Sequence, residues 1–190
     1  MTARPVYPKG RKSAKKTAYF HALGIVVKWK SRTINDNFGV HTDMEIIEIK
    51  ENKKQFLPLL LLADEQESMI DRYIDRGMMY VLVDNGVKCE CVVTDEGKGI
   101  LEIKNIATAP EYQGKGYGKA LIDFVAAKYK GKYSILQVGT GDSPLTVPFY
   151  EKSGFARSHS IENFFIDNYD HPIFEGGVQL TDMIYLQKKI

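Results

Sequence analysis

The chain has 190 residues, 44% of them apolar and 26% charged, with a net charge of +2, a balance ordinary for one globular domain. No run approaches the ~20 apolar residues that a membrane helix needs, which excludes a helical membrane span. Cys89 and Cys91 stand two apart, a poor disulfide geometry on a strand, and with four scattered histidines (21, 41, 159, 171) they make no metal-ligand spacing. No metal is therefore expected, and the thiols read as small buried hydrophobes in a reducing cytoplasm.

The charge is uneven. Residues 1–43 carry a net of +7 and residues 44–190 a net of −5. The basic, polar segment 1–16 cannot easily bury a core. Residues 19–29 are largely apolar but hold His21 and Lys28 and lack an A-x-A cleavage site, which weakens a signal-peptide reading. A nucleic-acid arm is a second reading. The third, which we favour, takes Met44 as the true start. Residues 1–43 are then a basic extension, disordered or not native to the domain, and 44–190 are the domain.

From Met44 the spacing predicts a strand over 45–50 and helices over 53–63 and 65–76. Met69, Ile70, Tyr73 and Ile74 give the second helix its apolar stripe, Pro58 argues against the first, and Gly77 supplies a stop. Strands 79–83 and 87–94 are joined by Asp84-Asn85-Gly86, a hairpin signal. A turn at 95–99 leads to a strand over 101–108, which Ala109-Pro110 ends. A glycine loop at 113–118 then opens a helix that runs to about 130. A strand over 133–138, a loop over 139–144 and a helical turn over 149–153 follow, with Pro148 tolerated near its start. Strands 155–166 and 179–187 complete the chain. This order implies an α/β fold, a mixed sheet with helices on its faces.

The loop Gln113-Gly114-Lys115-Gly116-Tyr117-Gly118-Lys119 carries the clearest chemistry. Missing Cβ atoms let an anion approach the backbone, and a helix start offers unpaired N–H groups and a positive dipole end. Lys115 and Lys119 add charge, so the natural ligand is a phosphate or pyrophosphate. The P-loop pattern fails, because position 113 is Gln and Gly118-Lys119 is followed by Ala120. The dinucleotide fingerprint fails as well, because it needs glycine where Lys119 stands.

The pattern that fits is Gln/Arg-x-x-Gly-x-Gly/Ala, met by Gln113, Gly116 and Gly118. It resembles the acetyl-CoA pyrophosphate loop of the GNAT superfamily of N-acetyltransferases. About thirty residues on, Leu136-Gln-Val-Gly-Thr-Gly-Asp142 and Pro148-Phe-Tyr-Glu-Lys-Ser-Gly-Phe155 resemble that family's splayed strand and its Tyr-Glu-Lys-x-Gly-Phe helix. Residues 59–64, Asn105-Ile-Ala and Asp182-Met183 are similar to a bacterial branch of small acetyltransferases. The resemblance spans 44–190. Departures are Asp142 where the branch commonly has Asn, a loop before Tyr150 one residue shorter, and prolines at 144 and 148.

The resemblance implies a GNAT acyl-CoA N-acyltransferase fold whose sheet is splayed between the fourth and fifth strands of the domain. It implies that acetyl-CoA lies in that splay as co-substrate. Backbone groups of Ile106 and Ala107 would pair with pantetheine and the amides of 113–119 would cradle the pyrophosphate. Tyr150 falls on the family's general acid; a phenol stays protonated at neutral pH and can donate. Glu102 is the candidate base, read alternatively as a strand residue paired with Lys104. Residues 163–175, NFFIDNYDHPIFE, border the family's acceptor site. There Tyr169, Asp167 and Asp170 are the candidates for holding a cationic small molecule or peptide amine.

The expected activity is N-acetylation of a primary amine in the cytoplasm, by a chain able to form the homodimers common in the family. Two other classes are weighed. One is a GNAT module that binds acyl-CoA without transfer. The other is a nucleic-acid-directed protein using 1–43, which the net of −5 over the rest disfavours. A serine hydrolase is excluded, since Gly141-Asp-Ser-Pro-Leu145 lacks the second glycine of a nucleophile elbow.

Overall fold

A computed structural model describes residues 44–190 and the backbone of 24–27. It contains strands β1 (Gly24–Val27), β2 (Glu45–Ile49), β3 (Met78–Val83), β4 (Val87–Asp95), β5 (Ile100–Thr108), β6 (Ile135–Gly141), β7 (Ala156–Ile161), β8 (Phe174–Glu175), β9 (Val178–Gln179) and β10 (Met183–Lys189). The α-helices are α1 (Leu57–Leu60), α2 (Glu67–Asp71), α3 (Tyr117–Tyr129), α4 (Thr146–Lys152) and α5 (Phe164–Asn168). Eight strands form one sheet in the order β1-β2-β3-β4-β5-β6-β10-β7, and β8 and β9 form a separate hairpin. Only β5 and β6 pair in parallel, so the sheet is mixed as expected.

The two sheet faces bury different sets of side chains, as the alternation along each strand requires. On one face Tyr80, Cys89, Cys91, Leu101 and Ile103 pack against Leu121, Ile122, Phe124 and Val125 of α3 and Tyr150 of α4. On the other, Ile47, Ile49, Val81 and Val92 lie under Phe56, Leu60, Ile70, Tyr73 and Ile74. Burying each such side chain stabilises by roughly 1.5–3 kcal/mol. Cys89 and Cys91 share one face, both buried and both free thiols. Glu90, between them, is fully buried in β4 opposite Ala107, and neither of its carboxyl oxygens has a hydrogen-bond partner.

The hairpin at Asp84-Asn85-Gly86 is present, with positive φ at Asn85 (51°) and Gly86 (110°). Two expectations change. The first predicted helix is a 3-10 turn over Lys53–Phe56 followed by α1, with Pro58 in its first turn, and the second closes as α-helix after Asp71. A side chain from the far end of this region replaces the missing caps: Lys53 Nζ donates to the carbonyls of Ile74, Asp75 and Gly77 at 2.8, 3.0 and 2.6 Å. The strand predicted over 155–166 stops at Ile161. Asn163 turns with φ 55° and Phe164–Asn168 becomes the short helix α5. Within the basic extension, Gly24–Val27 pair antiparallel with Ile49–Ile46 as an edge strand. The rest of that extension lies outside the described residues. Counted from Met44, the fourth and fifth strands of the domain are β5 and β6.

Candidate active site

β5 and β6 stay together for only four residues each, Ile100 to Ile103 against Ile135 to Val138. Beyond that point β5 remains paired with β4 and β6 with β10. The parting coincides with a bulge: Val92 faces Asn105 and Val93 faces Ile103, so Lys104 has no opposite number. The strands open into a cleft of about 540 Å³. Asn105, Ile106, Ala107 and Thr108 line one wall and Val138, Gly139, Thr140 and Gly141 the other. Each wall therefore shows main-chain groups that its partner strand leaves unpaired, which an extended ligand can bind as an added strand.

The glycine loop closes one end. Gly116 is the N-cap of α3 at φ 86°, and Gly114 has φ 74°. A Cβ on either would meet nothing within 4 Å, so backbone conformation, with open space in front of it, selects glycine here. Gly118 serves packing: a Cβ there would lie 3.2 Å from Phe149 Cζ and 3.4 Å from Thr108 Oγ1. Gln113 donates its side-chain amide to the Thr108 carbonyl at 3.2 Å and ties the loop to β5. Of the two lysines, Lys119 pairs with Asp123 one turn on at 2.6 Å, and Lys115 stands 5.2 Å from the centre of the Tyr112 ring. The loop, the open strand edge and the positive helix end together suit a phosphate-bearing, extended ligand.

Tyr150, on α4, lines the cleft and is 7% exposed. Its ring meets Phe149 and Phe155 edge-on, with centroids 5.1 and 5.8 Å away. Burial pushes its pKa well above the ordinary phenol value. The hydroxyl is thus protonated at neutral pH and makes no hydrogen bond to any described residue, so its proton is available in the cleft.

Glu102 also lines the cleft, but both its oxygens are engaged. Lys104 Nζ lies 2.7 Å from Oε1 and Gln137 Nε2 donates to Oε2 at 2.9 Å. Lys104 reaches Glu96 at 3.5 Å, and Glu96 pairs with Arg76 at 2.7 Å. Both carboxylate oxygens are therefore occupied, which is the lysine-paired alternative raised above.

The three acceptor candidates separate. Tyr169 lines the cleft, stacks on Phe165 (5.5 Å, 26°) and donates to Asp64 Oδ1 at 3.1 Å. Asp167 and Asp170 are exposed and outside the cleft wall, and Asp170 bonds the neighbouring His171 ring. The acids that do line this end are Asp64, Glu65 and Glu175, among Phe164, Phe165, Ile173, Phe174 and Leu180. Sequence reasoning missed Asp64 as a functional group. Ala63-Asp64-Glu65 reads as a helix boundary, and only the fold brings it to Tyr169, a hundred residues away. Asp64 also accepts from Tyr73 at 3.4 Å, whose oxygen receives Asn105 Nδ2 at 2.9 Å.

Residues 75–157 match the family model for the acetyltransferase (GNAT) domain. The chain is 33% identical over 140 residues to the uncharacterised N-acetyltransferase YvbK of Bacillus subtilis, a match that spans 72% of this chain and 90% of that one. Its fold matches a GNAT family acetyltransferase from Elizabethkingia anophelis with acetyl-CoA bound, at TM-score 0.73 and 36% identity, covering 77% and 98% of the two chains. A Bacillus subtilis acetyltransferase in complex with CoA matches at TM-score 0.70 and 31% identity, covering 77% and 99%.

Proposed function

We propose the following chemistry for a chain that belongs to the GNAT family of N-acetyltransferases: transfer of an acetyl group from acetyl-CoA to a primary amine, with Tyr150 as the general acid. The observation that carries it is Tyr150, which lines the cleft where β5 and β6 part, its ring buried and its hydroxyl without a hydrogen bond to any described residue. Two similar structures hold acetyl-CoA and CoA respectively, which supports acetyl-CoA as donor. The residues here fit it. The open edge of β5 at Ile106 and Ala107 would take the pantetheine, and the amides of Gln113, Gly114, Lys115, Gly116, Tyr117, Gly118 and Lys119 would take the pyrophosphate.

Acetyl-CoA supplies a thioester-activated acetyl group. Tyr150 gives its proton to the departing thiolate, a better leaving group once neutralised. The acceptor enters from the end lined by Asp64, Tyr169 and Glu175 and is a cationic small molecule or a lysine or N-terminal amine. The carboxylates favour an ammonium and the aromatic rings bind its face. Glu102 ties β5 to β6 through Gln137, and Lys104 occupies its other oxygen. The free thiols Cys89 and Cys91 fit a reducing cytoplasm.

The test is release of free thiol from acetyl-CoA with a panel of amines: polyamines, amino acids, aminoglycosides, arylalkylamines and lysine peptides. Thiol release that depends on one class of amine is the expected result. No release above solvent hydrolysis with any of them would overturn the reading.

A further inference from the structure

We propose that Asp64 is the acceptor-side carboxylate of this enzyme: it binds the ammonium of the incoming amine and takes the proton that must leave before attack. The proposal rests on the acetyltransfer reading above and names a residue and substrate class within it.

Four observations carry it. Asp64 is half-buried, lines the same cleft as Tyr150 and is held in place by two tyrosine hydroxyls, Tyr169 at 3.1 Å and Tyr73 at 3.4 Å. No cation lies within ion-pair distance of it among the described residues. The cations that line the cleft are engaged elsewhere, Arg72 with Asn168, Arg76 with Glu96 and Lys104 with Glu102. Finally, Phe165 and Tyr169 stack beside it, and Ile173 and Leu180 back them as a small apolar core. A carboxylate with no cationic partner against an apolar wall suits a primary ammonium carried on an apolar body.

Burial raises the pKa of Asp64 above the usual aspartate value; the two tyrosines, the Gln66 amide and the charge of Arg72 each oppose the rise. The groups that face it are thus Tyr73 and Arg72 beside α2, Tyr169 beyond α5 and the adjoining Glu65, with Glu90 behind Tyr73. Of the two carboxylates considered, Glu102 has both oxygens held by Lys104 and Gln137, whereas Asp64 has no cation within ion-pair distance among the described residues and faces the acceptor end of the cleft. In the step, an N–H bond of the ammonium breaks and its proton goes to an Asp64 oxygen. The nitrogen lone pair forms the C–N bond to the thioester carbon. The C–S bond breaks as the sulfur takes the Tyr150 proton; the second proton that the nitrogen loses on becoming an amide restores the Tyr150 phenol, and Asp64 releases its proton to solvent.

The experiment measures 2-phenylethylamine binding to the enzyme–CoA complex by calorimetry, and its acetylation against pH, in wild type and D64N. We expect D64N to weaken amine binding at least tenfold and leave CoA affinity within twofold. The acid limb of kcat/KM should change character. In wild type it levels off once Asp64 has lost its proton. In D64N it should keep rising toward the amine's own pKa, because only amine that is already neutral then reacts. Y169F, which removes one donor to the carboxylate, should move the wild-type limb to higher pH. It serves as the test should D64N fail to bind CoA.

Wild-type amine affinity and an unchanged pH profile in D64N would overturn the assignment while leaving acetyl transfer intact. So would an unmoved limb in Y169F. Preference for spermidine over 2-phenylethylamine would overturn the apolar body. Absence of both thiol release and amine binding in wild type would overturn the acetyltransfer reading, and this assignment with it.

Discussion

The two ends of the cleft are built by different means. The end we propose for the donor is made of main chain: the open edge of β5, the glycine loop and the first turn of α3, a helix of thirteen residues. The end we propose for the acceptor is made of side chains on short elements, α1, α2 and α5 with four or five residues each and a hairpin of two-residue strands. Backbone recognition needs glycines at fixed offsets and a helix start, so it leaves a pattern in the sequence. Side-chain recognition from separate elements leaves none. The first suits a ligand common to a whole family and the second a ligand that differs from member to member.

This contrast can be broken in order of expected effect. If the donor end is main chain, placing a carboxylate there should be decisive. G116E forces a side chain onto a positive-φ residue, and G118E drives one into Phe149 and Thr108; each adds negative charge where a pyrophosphate would approach. We expect acetyl-CoA binding to fall below detection by calorimetry in both. Measurable wild-type affinity would remove the loop from the donor site.

Next, Y150F should lower turnover by ~10²–10⁴-fold, the range typical of a positioned acid, with acetyl-CoA affinity unaltered because the ring still packs between Phe149 and Phe155. Turnover within about twofold of wild type would exclude the proton-donor role. The smallest effect belongs to Asp167 and Asp170. Both are exposed beyond the cleft wall and can act only by screened, long-range attraction. In D167N and D170N the KM for a cationic amine should stay within about twofold of wild type at physiological salt, the difference vanishing at higher salt. A tenfold rise would extend the acceptor end past the wall described here.

What was legible in the sequence follows the same division. The loop at 113–119, the α3 helix, the hairpin at 84–86 and the Tyr150 helix are local patterns, and each sits where its residues predict. The region 53–76 was harder to read. Its helical turns are short because Pro58 sits in the first of them and a distant lysine, Lys53, satisfies the closing carbonyls. The run 155–166 misleads for a related reason. Its alternation holds to Ile161, after which the Asn163 backbone amide is captured by Asp182, just before β10, and the chain turns into α5. Asp64 shows the limit most plainly. It closes the stretch 59–64 that resembles the bacterial branch, but nothing in that stretch gives it a role; its partners are Tyr73, nine residues on, and Tyr169, more than a hundred residues on.

The orphaned carboxyl of Glu90 makes folding a proton-uptake reaction. Burial pushes its pKa up to about 8 from an ordinary value of 4.5, and the Ala107 amide, close but outside hydrogen-bond geometry, offsets only part of that. Between those two values the native chain keeps a proton that the unfolded chain has released. Stability is therefore full below about pH 4.5, falls as pH rises through the window by up to about 1.4 kcal/mol per unit, and levels off above about 8. Asp64, raised in the same direction, adds to the slope. Melting temperature should drop between pH 5 and pH 8 in wild type and much less in E90Q, which has no proton to lose. Equal drops in the two would mean that Glu90 is ionised in the folded protein. The strand whose free edge would take acetyl-CoA thus rests against a group that stays neutral in the fold only below about pH 8.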